Sequence, residues 1–228
     1  MLSGEGLTIA CALGYKKGMA NALINLGNVA YAQGDYEEGR VFGENSLVIW
    51  RELGDRGGAA SCLNALGSGA RKQGDYDGAR VFYEESLALR RELKSENGIA
   101  DCLNALGIVA SLQGDYARAH VLHAESLTIA YALGYKSCLV GNLEGLALLA
   151  GKEAQENRSV RLWGAATTLR EAIGASLSLA DNERQEREMT TVREIVGEDT
   201  FALAWTEGRA MTLEQAIEYA LEKFEPPE

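Results

Sequence analysis

A segment of forty residues recurs along this chain, and that period constrains the fold more than any other property. Gln33-Gly34-Asp35-Tyr36 returns as Gln73-Gly74-Asp75-Tyr76 and again as Gln113-Gly114-Asp115-Tyr116. Residues 59–98 and 99–138 agree at 18 of 40 positions without a gap. Leu63-Asn64-Ala65-Leu66-Gly67 returns as Leu103-Asn104-Ala105-Leu106-Gly107, with diverged forms at residues 23–27 and 143–147. The opening Leu7–Lys16 matches residues 127–136 at nine of ten positions, three periods away. The chain therefore starts inside the second half of a repeat. This predicts either a longer parent protein or a native start other than Met1.

Each unit reads as two helices. Leu63, Leu66 and Ala70 recur at three- and four-residue steps, one face of a helix. Gln73-Gly74-Asp75 supplies the break, because glycine tolerates the left-handed turn that ends a helix and aspartate caps the next. Tyr76, Ala79, Tyr83, Ser86 and Leu87 mark the inward face of the second helix, where small residues at 79 and 86 permit close approach. Two helices of about 14 residues cannot bury their apolar faces alone, so units must stack. The expected fold is all-α: an α-solenoid of stacked antiparallel helix pairs. Both prolines, Pro226 and Pro227, lie in the last three residues, which suits uninterrupted helices.

Composition narrows the function classes. Apolar residues are 46% and charged residues 24%, which argues against wholesale disorder. No apolar run approaches the roughly 20 residues of a membrane span, and the N-terminus lacks the pattern of a signal peptide. Cys11, Cys62, Cys102 and Cys138 form no CxxC pair and are read as reduced and cytoplasmic. The net charge is −11, and residues 175–228 hold 13 acidic against 5 basic side chains. Such a field repels phosphate backbones and disfavours nucleic acid as a partner.

The candidate chemical groups read as structural. His120 and His123 stand three apart on one helix, a spacing that could converge on a metal or serve acid–base chemistry. His123, however, takes the core-facing place of Tyr83 and Trp163 in sister units. Cys62 and Cys102 are equivalent positions and read as small apolar packing. Ser46, Ser86 and Ser126 recur together, unlike a catalytic serine, and read as close-packing residues. Gly54-Asp55-Arg56-Gly57-Gly58 lacks the Gly-Lys-Ser/Thr of a phosphate loop and reads as a linker between repeats. Trp163 and Trp205 read as core. No metal, no cofactor and no enzyme activity are expected.

Leu63, Leu66-Gly67, Gly74-Asp75-Tyr76, Ala79, Tyr83 and Ser86 together resemble the tetratricopeptide repeat. The 40-residue period resembles its longer subfamily, as in kinesin light chains and many bacterial regulators, with six extra residues expected in the links between units. The division implied is residues 1–18 as the second helix of a truncated repeat and 19–174 as four repeats (about 19–58, 59–98, 99–138 and 139–174). Residues 175–228 then form an acidic helical cap. In the cap, Asp181 or Asn182 is expected to start a helix ending at Gly197, Asp199 a second, and Thr212 a third, folding back over the fourth repeat.

Arg161-Leu162-Trp163-Gly164-Ala165-Ala166, Leu169–Gly174, Trp205–Arg209 and Leu213–Ile217 resemble the tail of LuxR-type transcription factors and signal-transduction ATPases. That resemblance implies a regulatory region of a larger bacterial protein. In the repeat family the first helix of each unit lines a groove. The resemblance thus places Asn21, Asn28, Tyr31, Asn64, Arg71, Lys72, Asp101, Asn104 and Glu144 on a face that binds a protein or peptide. Asn64 and Asn104 are equivalent, and amides in register can hold an extended backbone. Two further readings stay open: a receptor for a small signalling peptide, and a self-assembling scaffold that dimerises through an uncapped N-terminal edge.

Overall fold

The computed structural model describes residues 2–176 and 179–222. Among them are twelve helices and no strand. They fall into two compact units, residues 1–113 and 114–228.

The first unit contains α1 (Leu2–Ala12), α2 (Lys16–Gln33), α3 (Tyr36–Glu52), α4 (Arg56–Gln73), α5 (Tyr76–Glu92) and α6 (Glu96–Leu112). Two or three residues join each helix to the next, so each doubles back against its predecessor. Alternate helices also touch, α2 with α4 and α4 with α6, which makes them one layer. The turns follow the recurring tetrapeptide. Gly34 and Gly74 sit at φ 86° and 88°, and the carboxylates of Asp35 and Asp75 accept the Glu38 and Gly78 amides at 3.3 and 2.9 Å.

Asp55 caps α4 in the same way, accepting the Gly58 amide at 2.9 Å. The segment expected to be a linker is therefore mostly the first turn of α4. Helices of 17 or 18 residues, rather than about 14, absorb the six extra residues of the period. The pairs consequently start near residues 16, 56 and 96, a few residues before the boundaries read from the sequence. Packing explains the shift. A Cβ on Gly58 would come within 2.4 Å of the Trp50 indole, so the glycine lets α4 start close against the end of α3.

Leu47, Trp50, Ala59, Cys62, Leu63 and Leu66 form the core here. Full burial of each leucine contributes about 2 kcal/mol. Ser46 and Ser86 are buried and donate to the Ala20 and Ala60 carbonyls at 2.8 Å, which satisfies hydroxyls placed where helices touch. Cys62 is fully buried against the Gly43 carbonyl, and burial pushes its thiol up to about 11. It packs as a small apolar group and is chemically quiet at neutral pH.

The second unit contains α7 (Tyr116–Leu133), α8 (Lys136–Lys152), α9 (Glu156–Ala172), α10 (Leu179–Val196), α11 (Glu198–Ala210) and α12 (Leu213–Leu221). α8 and α9 form a helix pair, and α11 lies along α9. Their backbones meet at two glycines. A Cβ on Gly208 would stand 2.1 Å from the Arg161 carbonyl oxygen, and one on Gly164 would stand 2.8 Å from that of Trp205. Val160, Val192, Phe201 and Ala204 seal the junction of α9, α10 and α11.

Three starts in this region test the sequence reading. Thr212 does open α12, in a capping box with Gln215. α11 starts after Gly197 with Asp199 inside its first turn, where a carboxylate favours the helix dipole without capping. α10 begins at Leu179, so neither Asp181 nor Asn182 stands at its start. The Asp181 side chain and residues 223–228 of the expected cap lie outside the described residues. Arg158 closes the other end of α12, donating to the Tyr219, Ala220 and Glu222 carbonyls at 2.7, 3.3 and 3.0 Å.

Candidate partner-binding face

The layer of α2, α4 and α6 sets equivalent side chains side by side at forty-residue steps. Asn21 and Asn28 of α2 and Lys72 of α4 are exposed, while Asn64 and Arg71 of α4 and Asp101 and Asn104 of α6 are half-buried. The Oδ1 of Asn104 is buried and has no hydrogen-bond partner among the described residues. An unpaired carbonyl of this kind costs roughly 1–3 kcal/mol until a donor reaches it.

The second helices contribute polar groups from beneath. Tyr83 of α5 is buried with its hydroxyl beside Arg71 and Ser68, and burial raises its pKa despite both neighbours. Arg90 of α5 donates to Ser61 Oγ at 2.7 Å and crosses Gly98, where a Cβ would meet its Cδ at 2.5 Å. Arg90 was not singled out in the sequence reading. The signal was present in the alignment of repeats, where its position is held by Trp50, Ala130 and Arg170.

Two expected members are engaged by their immediate neighbours. Tyr31 is only 8% exposed. Its ring fills the space above Gly39 of α3 and Gly69 of α4, where a Cβ would come within 2.6 and 2.2 Å. The missing side chain at residue 69 draws the tyrosine inward, and burial lifts its phenol to about 12. Glu144 lies in the second unit on α8, where it pairs with Arg170 of α9, and its side chain is 18% exposed. Its carboxylate is engaged inside its own unit.

The two histidines do not converge. His120 Nε2 meets Glu153 Oε2 at 2.9 Å in the turn before α9. His123 is fully buried, and Gly145 leaves room for its ring. Its Nδ1 donates to Asn142 Oδ1 at 3.0 Å, and Asn142 Nδ2 donates to Ser126 Oγ at 2.8 Å. That tautomer leaves Nε2 bare and without a partner among the described residues. Desolvation lowers the His123 pKa to about 4. Among the described residues no three His, Cys, Asp or Glu side chains gather as metal ligands, and no helix is long and apolar enough to cross a membrane.

The tetratricopeptide repeat pattern matches residues 18–92 and 66–132, which together span half of the chain. The chain belongs to the tetratricopeptide repeat family. Solved structures of such proteins superpose on it. BtubC (BKLC) from P. vanneervenii aligns over 99% of the chain and 92% of its own length, with TM-score 0.71 at 18% identity. A kinesin light chain candidate of Podosopora anserina with nearly identical TPR-like repeats aligns over 83% and 93%, with TM-score 0.60 at 14% identity. At these identities the likeness shows the tetratricopeptide fold alone. No curated protein matches the chain. Tetratricopeptide repeats generally mediate protein–protein interaction.

Proposed function

We propose that this chain is a non-catalytic module that holds a protein segment or peptide against the α2–α4–α6 face. Asn21, Asn28, Asn64, Arg71, Lys72, Asp101 and Asn104 are the contact residues. The observation that carries this reading is Asn104, whose buried amide oxygen has no donor among the described residues and stands one repeat from the half-buried Asn64. A peptide backbone offers alternating donors and acceptors along one line, which is what a row of amides can pair. The net charge of −11 favours a protein ligand over nucleic acid.

The wider setting we infer is the sensor or interaction region of a larger bacterial transcription or signal-transduction regulator in the cytoplasm. Its support is the tail sequence around Trp163-Gly164 and Trp205–Arg209. Gly164 and the Trp205–Arg209 segment lie in the α9–α11 contact.

A random peptide library selected on the immobilised protein tests the groove. A selected peptide should bind the Asn64→Ala/Asn104→Ala variant about tenfold more weakly at equal helicity, each amide contributing roughly 0.5–1 kcal/mol. Equal affinity for both proteins would remove the groove reading.

Exposure at the end of α1 and in the turn after it supports a second reading, self-association. Ile9 and Leu13 are 60% and 75% exposed one turn apart, with Tyr15 beside them.

A further inference from the structure

α2 and α4 are charged against the trend of the chain. They hold Lys16, Lys17, Arg56, Arg71 and Lys72 and no carboxylate, within a net charge of −11. Three of these cations are answered nearby: Lys16 by Glu52, Lys17 by Asp55 and Arg56 by Glu92. Arg71, Lys72 and Arg90, which enters the face from α5, have no ion pair among the described residues. Asp101, the carboxylate of the face on α6, makes an interaction of its own. Arg71 and Arg90 are half-buried and stand in the last turns of α4 and α5, where the dipole favours a cation. The exposed Lys72 and Arg91 of the same turns meet that need at full hydration. A half-buried guanidinium without a carboxylate gives up hydration that an arriving anion restores.

Neutral groups hold both guanidiniums in place. Ser61 Oγ accepts from Arg90 at 2.7 Å, and the missing side chain of Gly98 leaves the space that Arg90 crosses. The Tyr83 hydroxyl, which also meets Ser68, stands beside Arg71. Ser61, Asn64, Ser68 and Arg71 follow at three- and four-residue steps, a single stripe of α4 about 15 Å long. Arg90 therefore marks one end of the stripe and Arg71 the other, with Asn64 between them. A strand whose backbone pairs down onto Asn64 sends alternate side chains to opposite sides, because side chains stand across the hydrogen-bonding direction. Those sides are the two ends of the stripe. On the groove reading above, we propose that the segment held there is acidic, with neighbouring carboxylates that pair with Arg90 and Arg71 on its two sides.

Fluorescein-labelled, amidated hexaglutamate is the probe, titrated by anisotropy on the full chain at low salt. Saturable binding is expected in spite of the repulsion between two acidic molecules, with hexaglutamine about tenfold weaker or worse. Arg71→Gln and Arg90→Gln should each weaken hexaglutamate about tenfold at unchanged helicity. Arg80→Gln, which loses only its exposed pair with Asp77 on α5, should keep full affinity. Of two peptides with equal charge, Gln-Gln-Glu-Glu-Gln-Gln should bind more tightly than Gln-Glu-Gln-Glu-Gln-Gln, whose carboxylates share one side. Equal affinity for hexaglutamate and hexaglutamine, full affinity in both arginine variants, or equal affinity for the two mixed peptides would each overturn the proposal. A library-selected peptide that is weakened by Asn64→Ala/Asn104→Ala and by neither arginine variant would overturn it as well, and would leave the groove reading standing.

Discussion

Lys94 and Ala154 occupy left-handed turns at φ 53° and 57°, where the equivalent positions of sister turns carry glycine at φ between 62° and 88°. A Cβ in that conformation costs about 1–2 kcal/mol. Glycine at either place recovers part of this, less the entropy it adds to the unfolded chain. Ala154→Gly should raise stability by about 1 kcal/mol, read as a shift of the thermal or urea midpoint, and Lys94→Gly should act alike. Ala154 also shows why the fourth repeat was hard to follow in sequence. Ala154-Gln155-Glu156 replaces Gly-Asp-Tyr, and Glu153, in the place of Gln113, is held by His120 and by Gln155 Nε2 at 2.9 and 3.1 Å.

His123 makes a second prediction at this scale. Its folded pKa of about 4 lies below the ordinary 6.5, so the unfolded chain takes up the proton first on acidification. Stability from this residue is complete above 6.5 and declines as pH falls toward 4, by up to about 3 kcal/mol. His123→Phe should flatten that part of the slope, seen as a smaller difference between urea midpoints at neutral and acid pH. An unchanged slope would show that the charge is accommodated. The core place of His123 was legible because Tyr83 and Trp163 align with it. Its bond to Asn142 was not, because sister units carry Ala22, Cys62 and Cys102 at that place.

Between elements, glycine placement decides which helices can touch. The sequence period shows where pairs begin and end, since Gly34, Asp35 and their repeats act within a single turn. The α9–α11 contact is different, because it joins residues with no shared period. Gly164 and Gly208 let the two backbones meet, and Arg161–Glu207 and Arg209–Glu171 bridge the seam at 2.7 Å each. Gly208→Ala puts a methyl group against the Arg161 carbonyl and should cost about 3 kcal/mol. Hydrogen exchange should then quicken in α10, α11 and α12 while amides of α2 to α5 keep their protection, since distant repeats couple only through neighbours. Loss of protection in α2 to α5 as well would mean that the whole chain unfolds as one cooperative block.

At the scale of the molecule, a repeat makes its fold readable and its function hard to read. Core positions must recur for units to stack, so Leu63, Leu66 and their equivalents declare themselves. A ligand has no such period. Tyr31 looked like a face residue by spacing, and only Gly69, in the next repeat, turns it inward. Self-association belongs to this scale because it opposes local apolar attraction to the charge of the entire chain. Ile9 and Leu13 offer exposed apolar area, but two chains each at −11 repel at low salt. Raising ionic strength from about 0.02 to about 0.5 M shortens the screening length from roughly 20 to roughly 4 Å and removes most of that repulsion. Sedimentation should therefore show a mass that grows with concentration, more steeply in high salt. Leu13→Glu should weaken the association at least tenfold at both salts, because it places a charge inside the apolar contact. A mass independent of concentration in both buffers would leave these side chains as ordinary exposed residues of a monomer.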